Sequence, residues 1–66
     1  LFRSVNISVS GIIEQVKIMN NMGQVVFNRE VNEQELKINT GHFMKGVYFV
    51  EIRTDKGISA EKLIIK

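Results

Sequence analysis

The stretch that decides the fold is GVYFVEIRTDKG, residues 46–57. Its side chains alternate, with Tyr48, Val50 and Ile52 on one face and Val47, Phe49, Glu51 and Arg53 on the other. A period of two predicts a half-buried β-strand. The tripeptide that ends the stretch is typical of a three-residue hairpin loop, with Gly57 at the position that needs a left-handed backbone. The stretch therefore predicts a strand that turns back into an antiparallel partner.

The same alternation recurs on both sides of this stretch and predicts an all-β chain. Turn signals separate the segments: Ser10-Gly11, the run 20–23 ending in Gly23, and the polar run 32–35. Residues 40–46 form an irregular connection, which we expect Phe43 to anchor. Short strands at this spacing favour an antiparallel sandwich or barrel. The predicted strands are residues 5–10, 12–19, 24–31, 36–39, 47–54 and 58–65, and in the third we expect Val25, Phe27 and Val31 to share one face.

Length and composition limit the class of protein. Sixty-six residues with 44% apolar content allow one small domain, predicted to span residues 1–66, and exclude a disordered tail. No apolar run is long enough for a membrane-spanning helix. The absence of cysteine excludes disulfides and thiolate zinc sites. The net charge of +2 is spread among acidic residues, so nucleic-acid binding is not expected. Because the chain begins with Leu1, we expect it to be a piece of a longer protein.

No pattern in the sequence predicts catalysis, a cofactor or a metal. His42 is the only histidine and has no evident partner, so we expect a surface position. The two glycines that flank residues 42–45 lack the Lys-Ser/Thr pair of a phosphate loop. We expect Glu30, Glu33 and Glu35 to lie in a solvated loop. Tyr48 follows a glycine-containing loop, and we expect a buried ring with a locally bonded hydroxyl rather than an exposed binding aromatic.

Three motifs in order carry a resemblance to a known family. They are V-x-I-x-x-x-x-G-Q-x-V from residue 16, K-G-V-Y-F-V-x-I from residue 45, and K-L-I-I-K at residues 62–66. Together they resemble the type A C-terminal sorting domain of the type IX secretion system of Bacteroidetes. The resemblance implies an immunoglobulin-like antiparallel β-sandwich of about six to seven strands. That family commonly starts with a strand that carries an Asn-Pro motif, and this chain has no proline. We therefore expect the first strand to be missing.

The resemblance also implies a transport signal and not an enzyme. Such a domain ends a larger cargo protein that passes through the periplasm. An outer-membrane type IX translocon recognises it, and a sortase-like cysteine peptidase then removes it, leaving the cargo at the cell surface or secreted. Gly23, Gly46, Tyr48 and Gly57 would shape the fold. The terminal residues Lys62, Leu63, Ile64, Ile65 and Lys66 would be read by the translocon, and the open sheet edge left by a missing strand would permit a dimer.

Two other functions fit the residues and stay open at this point. One is an accessory carbohydrate- or protein-binding module of an extracellular enzyme, which would need an exposed aromatic platform. The chain has five aromatic residues and no tryptophan, which weakens the case for sugar stacking. The other is a purely structural β-sandwich that packs against a catalytic neighbour.

Overall fold

The computed structural model describes residues 4–66 and contains one antiparallel β-sheet. Its strands are β1 (Ser4–Asn20), β2 (Val25–Asn39), β3 (Gly46–Thr54) and β4 (Gly57–Ile65), in the spatial order β2-β1-β3-β4. No helix occurs in the described part of the chain. The prediction of an all-β antiparallel domain is confirmed. The prediction of six strands is wrong, because two pairs of predicted strands are each one continuous strand.

The two merged strands explain the difference. We expected a turn at Ser10-Gly11 and a loop at residues 32–35, but strand structure continues through both. In β1, Ser8 lies opposite Glu35 of β2, whereas Ile13 already lies opposite Glu33. Several residues of β1 thus face a single residue of β2, which is a bulge and not a reversal. Polar and glycine residues occur at both places, but there they indicate an irregularity within a strand and not a turn between two strands.

The bulge lets the long strands bend back onto the rest of the sheet. A straight strand of 17 residues would be about 56 Å long at ~3.3 Å per residue. The longest dimension of the molecule is only 31 Å. Ile7, near the start of β1, accordingly shares one hydrophobic core with Val50 and Ile52 of β3, although it pairs only with β2. The first part of β1 therefore packs over the face of β3.

The tip of the β3–β4 hairpin holds this bend in place. The Asp55 carboxylate accepts a hydrogen bond from the backbone N–H of Ile12 at 3.0 Å. The backbone N–H of Asp55 donates to the carbonyl of Ile12 at 3.2 Å. A Cβ atom at position 11 would collide with the Asp55 carboxylate. The hairpin tip can therefore lie this close to β1 only because residue 11 is glycine.

The turn predicted at residues 20–23 and the hairpin predicted after β3 are both confirmed. Between β1 and β2, the Asn20 side-chain oxygen accepts hydrogen bonds from the backbone N–H groups of Met22 and Gln24, and Gly23 has a positive φ of 82°. Between β3 and β4 the loop is one residue shorter than predicted, because Gly57 pairs with Thr54 as the first residue of β4. The positive φ of Gly57, 133°, still favours glycine there.

The core consists of the inward-facing side chains of all four strands. Ile13, Val16 and Ile18 of β1 are completely buried. Leu36, Phe43 and the other partly buried apolar residues pack around this centre. The buried hydrophobic residues are Ile7, Ile13, Val16, Ile18, Ile38, Tyr48, Val50, Ile52 and Ile65.

Candidate functional site

The outer strands β2 and β4 each leave a free edge along their whole length. The first part of β1 pairs with β2 but not with β3, so it leaves a shorter free edge. An edge strand exposes backbone N–H and C=O groups that another strand can pair with. Strand addition of this kind is a recurrent way of recognising an extended peptide. The edges of β2 and β4 are therefore the two longest places where this sheet could bind a partner through its backbone.

The β2 edge is irregular and charged. Its pairing with β1 shifts register at three places, near Ser8, near Gln15 and near Met19. Exposed charged side chains follow one another along the strand. Bulges and charges are the features by which natural edge strands resist unwanted pairing. The charged residues of β2 are Arg29, Glu30, Glu33, Glu35 and Lys37.

The β4 edge is regular along its whole length. All nine residues of β4 pair with β3 in one unbroken register, from Thr54 opposite Gly57 to Gly46 opposite Ile65. No register shift interrupts this pairing. A regular edge of nine residues is long enough to accept a further strand, since strands in proteins commonly have about five or six residues.

The hairpin geometry shows which backbone groups of β4 are free. The two-residue loop closes on Thr54 and Gly57, so this pair exchanges both of its backbone hydrogen bonds. Hydrogen-bonded and non-hydrogen-bonded pairs alternate along an antiparallel ladder. Lys62 and Ile64, opposite Phe49 and Val47, fall in non-hydrogen-bonded pairs. Their N–H and C=O groups point away from β3, toward the open edge.

The terminal segment 62–66 alternates between solvent and core. Lys62 and Lys66 are exposed and Ile64 is 56% exposed, whereas Leu63 is half-buried and Ile65 is only 6% exposed. Phe49 on β3, directly opposite Lys62, is 43% exposed. The segment thus offers two lysines and one apolar side chain on the outer face, together with the free backbone of β4. This face and edge form the candidate site.

The predicted fold-shaping residues support the strand that β4 pairs with. The hydroxyl of Tyr48, a buried residue, donates to the carbonyl of Met44 at 2.6 Å, as expected for a locally bonded ring. Phe43 stacks on the Tyr48 ring with centroids 5.4 Å apart, so it does anchor the connection. Gly46 opens β3 with a φ of 152°, a value that favours glycine. These contacts fix the start of β3 beside the end of β4.

The other sequence candidates do not converge on a reactive centre. His42 is exposed and contacts the edge of the Phe43 ring at a centroid distance of 4.8 Å. Glu30, Glu33 and Glu35 lie along exposed β2 and not in the loop we expected. Among residues 4–66 no three His, Asp or Glu side chains lie close enough to hold a metal ion. Within the same range, no helix has the length and apolar character to cross a membrane.

The aromatic side chains do not form a platform. Of the described aromatic residues, Tyr48 is buried, Phe27 and Phe43 are half-buried, and Phe49 alone is exposed. Phe2 lies outside the described residues. One exposed phenyl ring gives little support to a carbohydrate-binding module, which uses several rings to stack on sugars.

The prediction that Val25, Phe27 and Val31 share one face is wrong for Val25. Val25 does not share a face with Phe27, because a register shift separates the pair Ile18–Phe27 from the pair Met19–Val25. Directly paired residues lie on the same face of a sheet. Val25 therefore joins Met19 on the outer face and is 52% exposed. The prediction assumes a strict period of two along this strand. The extra residue Val26 breaks that period, and the sequence alone does not show the break.

Comparison of the sequence with known protein families gives a match over nearly the whole chain. The sequence profile of a family described as "Secretion system C-terminal sorting domain" matches residues 3–66 of the chain. The match covers all four strands and the terminal segment 62–66. No curated protein matches the chain in sequence.

Proposed function

The chain belongs to the secretion system C-terminal sorting domain family, and we propose that β4 is the element that a type IX translocon reads. A C-terminal sorting signal for type IX secretion serves proteins destined for the cell surface or for secretion. Such a signal must work with many different cargoes. Recognition of the folded domain itself meets that requirement. The observation that carries the proposal is the difference between the two edges: β4 is regular and open, whereas β2 is bulged and charged.

Strand addition at β4 would place the receptor against Lys62, Ile64 and Lys66. The free backbone groups of Lys62 and Ile64 would pair with a strand of the translocon. The exposed side chain of Ile64 would be buried in the contact, and the two lysines would select an acidic neighbour. Leu63 and Ile65 serve the core, so we assign them to holding the strand in position.

The later steps of export belong to the same proposal. The domain directs a cargo from the periplasm across the outer membrane, and a sortase-like cysteine peptidase of the system then removes it. The cargo remains at the surface or is released. In this proposal the chain itself acts as a sorting signal and not as an enzyme. In this scheme its partners are the translocon and the peptidase.

We also propose that the bent sheet is an immunoglobulin-like sandwich without its first strand. The core that joins the first part of β1 to β3 supports two packed layers. A groove of about 300 Å³ runs between residues 5–9 of β1 and residues 59–63 of β4. No Cα atom of β1 lies within 8 Å of a Cα atom of β4. An added strand beside the first part of β1 would fill this gap, and an open edge would otherwise permit a dimer.

The test is export of a reporter fused to the 66-residue domain in a host with the type IX pathway. We expect the intact fusion at the surface or in the medium, and a fusion without residues 62–66 in the periplasm. Since the deletion also removes buried Ile65, a second variant keeps the core: Lys62→Glu with Lys66→Glu. Its control is Arg29→Glu with Lys37→Glu, which makes the same charge change at exposed positions of β2.

The outcomes separate the proposal from a general effect of charge. We expect the β4 charge reversal to retain the reporter in the periplasm and the β2 reversal to export it. Normal export of the deletion fusion, or of a folded Lys62→Glu/Lys66→Glu fusion, would show that the translocon does not read β4.

A further inference from the structure

A row of directly paired side chains crosses the outer face of the sheet near the terminal segment. Val25 of β2 pairs with Met19 of β1, Met19 pairs with Phe49 of β3, and Phe49 pairs with Lys62 of β4. Paired residues share a face, so the four side chains form one line across all four strands. Val47 and Ile64 make a second pair beside it. We call Met19, Val25, Val47, Phe49 and Ile64 the outer patch.

The outer patch is apolar and open to solvent. Val25, Phe49 and Ile64 are 52%, 43% and 56% exposed, and Met19 and Val47 are partly exposed. Scattered exposed apolar side chains are normal on a protein surface, but a contiguous group rimmed by polar residues marks an interaction site. A central aromatic ring with aliphatic neighbours is also the usual composition of the energetically dominant part of an interface.

The remainder of the outer face is mainly polar, with Ala60 and Ile58 as apolar members of the next two rows, which defines the limits of the patch. The next row consists of Asn28, Lys17, Glu51 and Ala60, and the row after it of Glu30, Gln15, Arg53 and Ile58. Apolar side chains therefore concentrate at the end of the face that also carries Lys62 and Lys66. The patch is continuous with the candidate site on β4.

Charge indicates what covers the patch. Lys62 lies within the row itself and Lys66 follows Ile64 at the chain end, so both charges nearest the β4 side of the patch are positive. A second copy stacked with its β4 over this β4 would bring its own lysines against these lysines, and like charges brought together are unfavourable. A partner with an apolar centre and acidic side chains at its rim is complementary to the patch.

We infer that the outer patch is a docking surface for an acidic-rimmed apolar surface of a protein of the secretion machinery. This inference rests on the proposed function and extends it, because the contact would reach from β4 across the whole sheet to Val25. The terminal segment would supply backbone pairing at the edge. The outer patch would supply apolar area on the adjoining face, with Phe49 at its centre.

The experiment measures the export rate of the reporter fusion with single substitutions on the outer face. Phe49→Thr removes the ring but keeps a residue that favours strands. Its matched control is Ile58→Thr, also exposed on the outer face but two rows away. We expect export about tenfold slower for Phe49→Thr, the change that a loss of 1.4 kcal/mol in partner affinity gives. The control should export within about twofold of the unmodified fusion, since exposed positions away from such contacts matter little.

Val25→Thr provides an independent test at the opposite edge of the sheet. Val25 lies three strands away from β4, so its substitution leaves the terminal segment intact. We expect slower export from Val25→Thr as well. Resistance of the domain to protease within each fusion shows that a variant is folded. Should Phe49→Thr prove unfolded, the Val25→Thr result decides.

Several outcomes would overturn the inference. Export of folded Val25→Thr and Phe49→Thr at the unmodified rate would remove the docking role, while periplasmic retention of the deletion lacking 62–66 would leave the proposed function standing. Phe49-dependent binding of the fusion to phosphatidylglycerol vesicles but not to phosphatidylcholine vesicles would make the occupant a membrane. Phe49-dependent dimerisation of the fusion would make the occupant a second copy.

Discussion

β2 and β4 are both edge strands of one sheet, yet only β4 presents an uninterrupted row of free backbone groups. β2 follows β1 through its bend and shifts register three times on the way. β4 follows β3 and keeps one register from end to end. The comparison shows that the regularity of an edge is set by the strand it pairs with. A bulged pairing protects an edge, whereas a regular pairing leaves it open to a partner.

The largest expected effect is a difference in stability between substitutions on the buried face and on the exposed face of β4. Ile65 is buried and Ile64 is more than half exposed. We expect Ile65→Ala to lower the free energy of unfolding by about 2–5 kcal/mol, because it leaves a cavity in the core. Ile64→Ala should change it by less than about 0.5 kcal/mol. Urea denaturation of the fusion, followed by a probe in the domain, measures both. Equal losses would mean that β4 is not an edge strand with one free face.

A smaller loss of stability is expected when the contact that holds the bend of β1 is removed; this bend is what makes β2 irregular. Gly11→Ala would displace the Asp55 carboxylate from the Ile12 N–H, at a cost of about 1–2 kcal/mol in the free energy of unfolding. Asp55→Ala should cost a similar amount. Since both substitutions remove the same contact, the double variant should cost much less than the sum of the two. Simple additivity in denaturation experiments would show that the Gly11–Asp55 approach does not hold the bend.

The smallest effect concerns association of the free edges. Two β4 edges related by a two-fold axis centred at Lys62 would place the two Lys62 side chains opposite each other, which is unfavourable. We expect Lys62→Val to produce a weak, concentration-dependent dimer of the fusion in analytical ultracentrifugation. Lys37→Val, the same change on bulged β2, should leave it monomeric. Dimerisation of the Lys37 variant alone would reverse the comparison between the edges.

Sequence patterns predicted the local features and missed those that depend on distant pairing. The alternation around Val50 and Ile52, the turn at Gly23 and the hydroxyl contact of Tyr48 followed from neighbouring residues, and the structure confirms them. The signal at Ser10-Gly11 was interpreted as a turn, but a strand partner 20 or more residues away makes it a bulge. Whether an irregularity reverses the chain is a property of the pairing and not of the local sequence.

The candidate site divides in the same way. The period of two predicted a strand over residues 58–65, and residues 62–66 alternate between exposed and buried as such a strand requires. The sequence did not reveal that β4 is an edge, because strand order results from tertiary packing. The outer patch could not be predicted from the sequence because its members come from four strands. In addition, the extra residue Val26 moves Val25 to the outer face. The role of the terminal segment in recognition stays a prediction.

The most direct measurement compares export of reporter fusions carrying Lys62→Pro and Lys62→Ala. Proline removes the outward N–H of residue 62 without removing a ladder bond, whereas alanine removes the charged side chain and keeps that N–H. Ile58→Pro, at the same kind of outward position near the hairpin, controls for damage to the strand. We predict that Lys62→Pro stays in the periplasm, while Lys62→Ala and Ile58→Pro are exported. Export of a folded, protease-resistant Lys62→Pro fusion at the unmodified rate would contradict recognition through the open edge of β4.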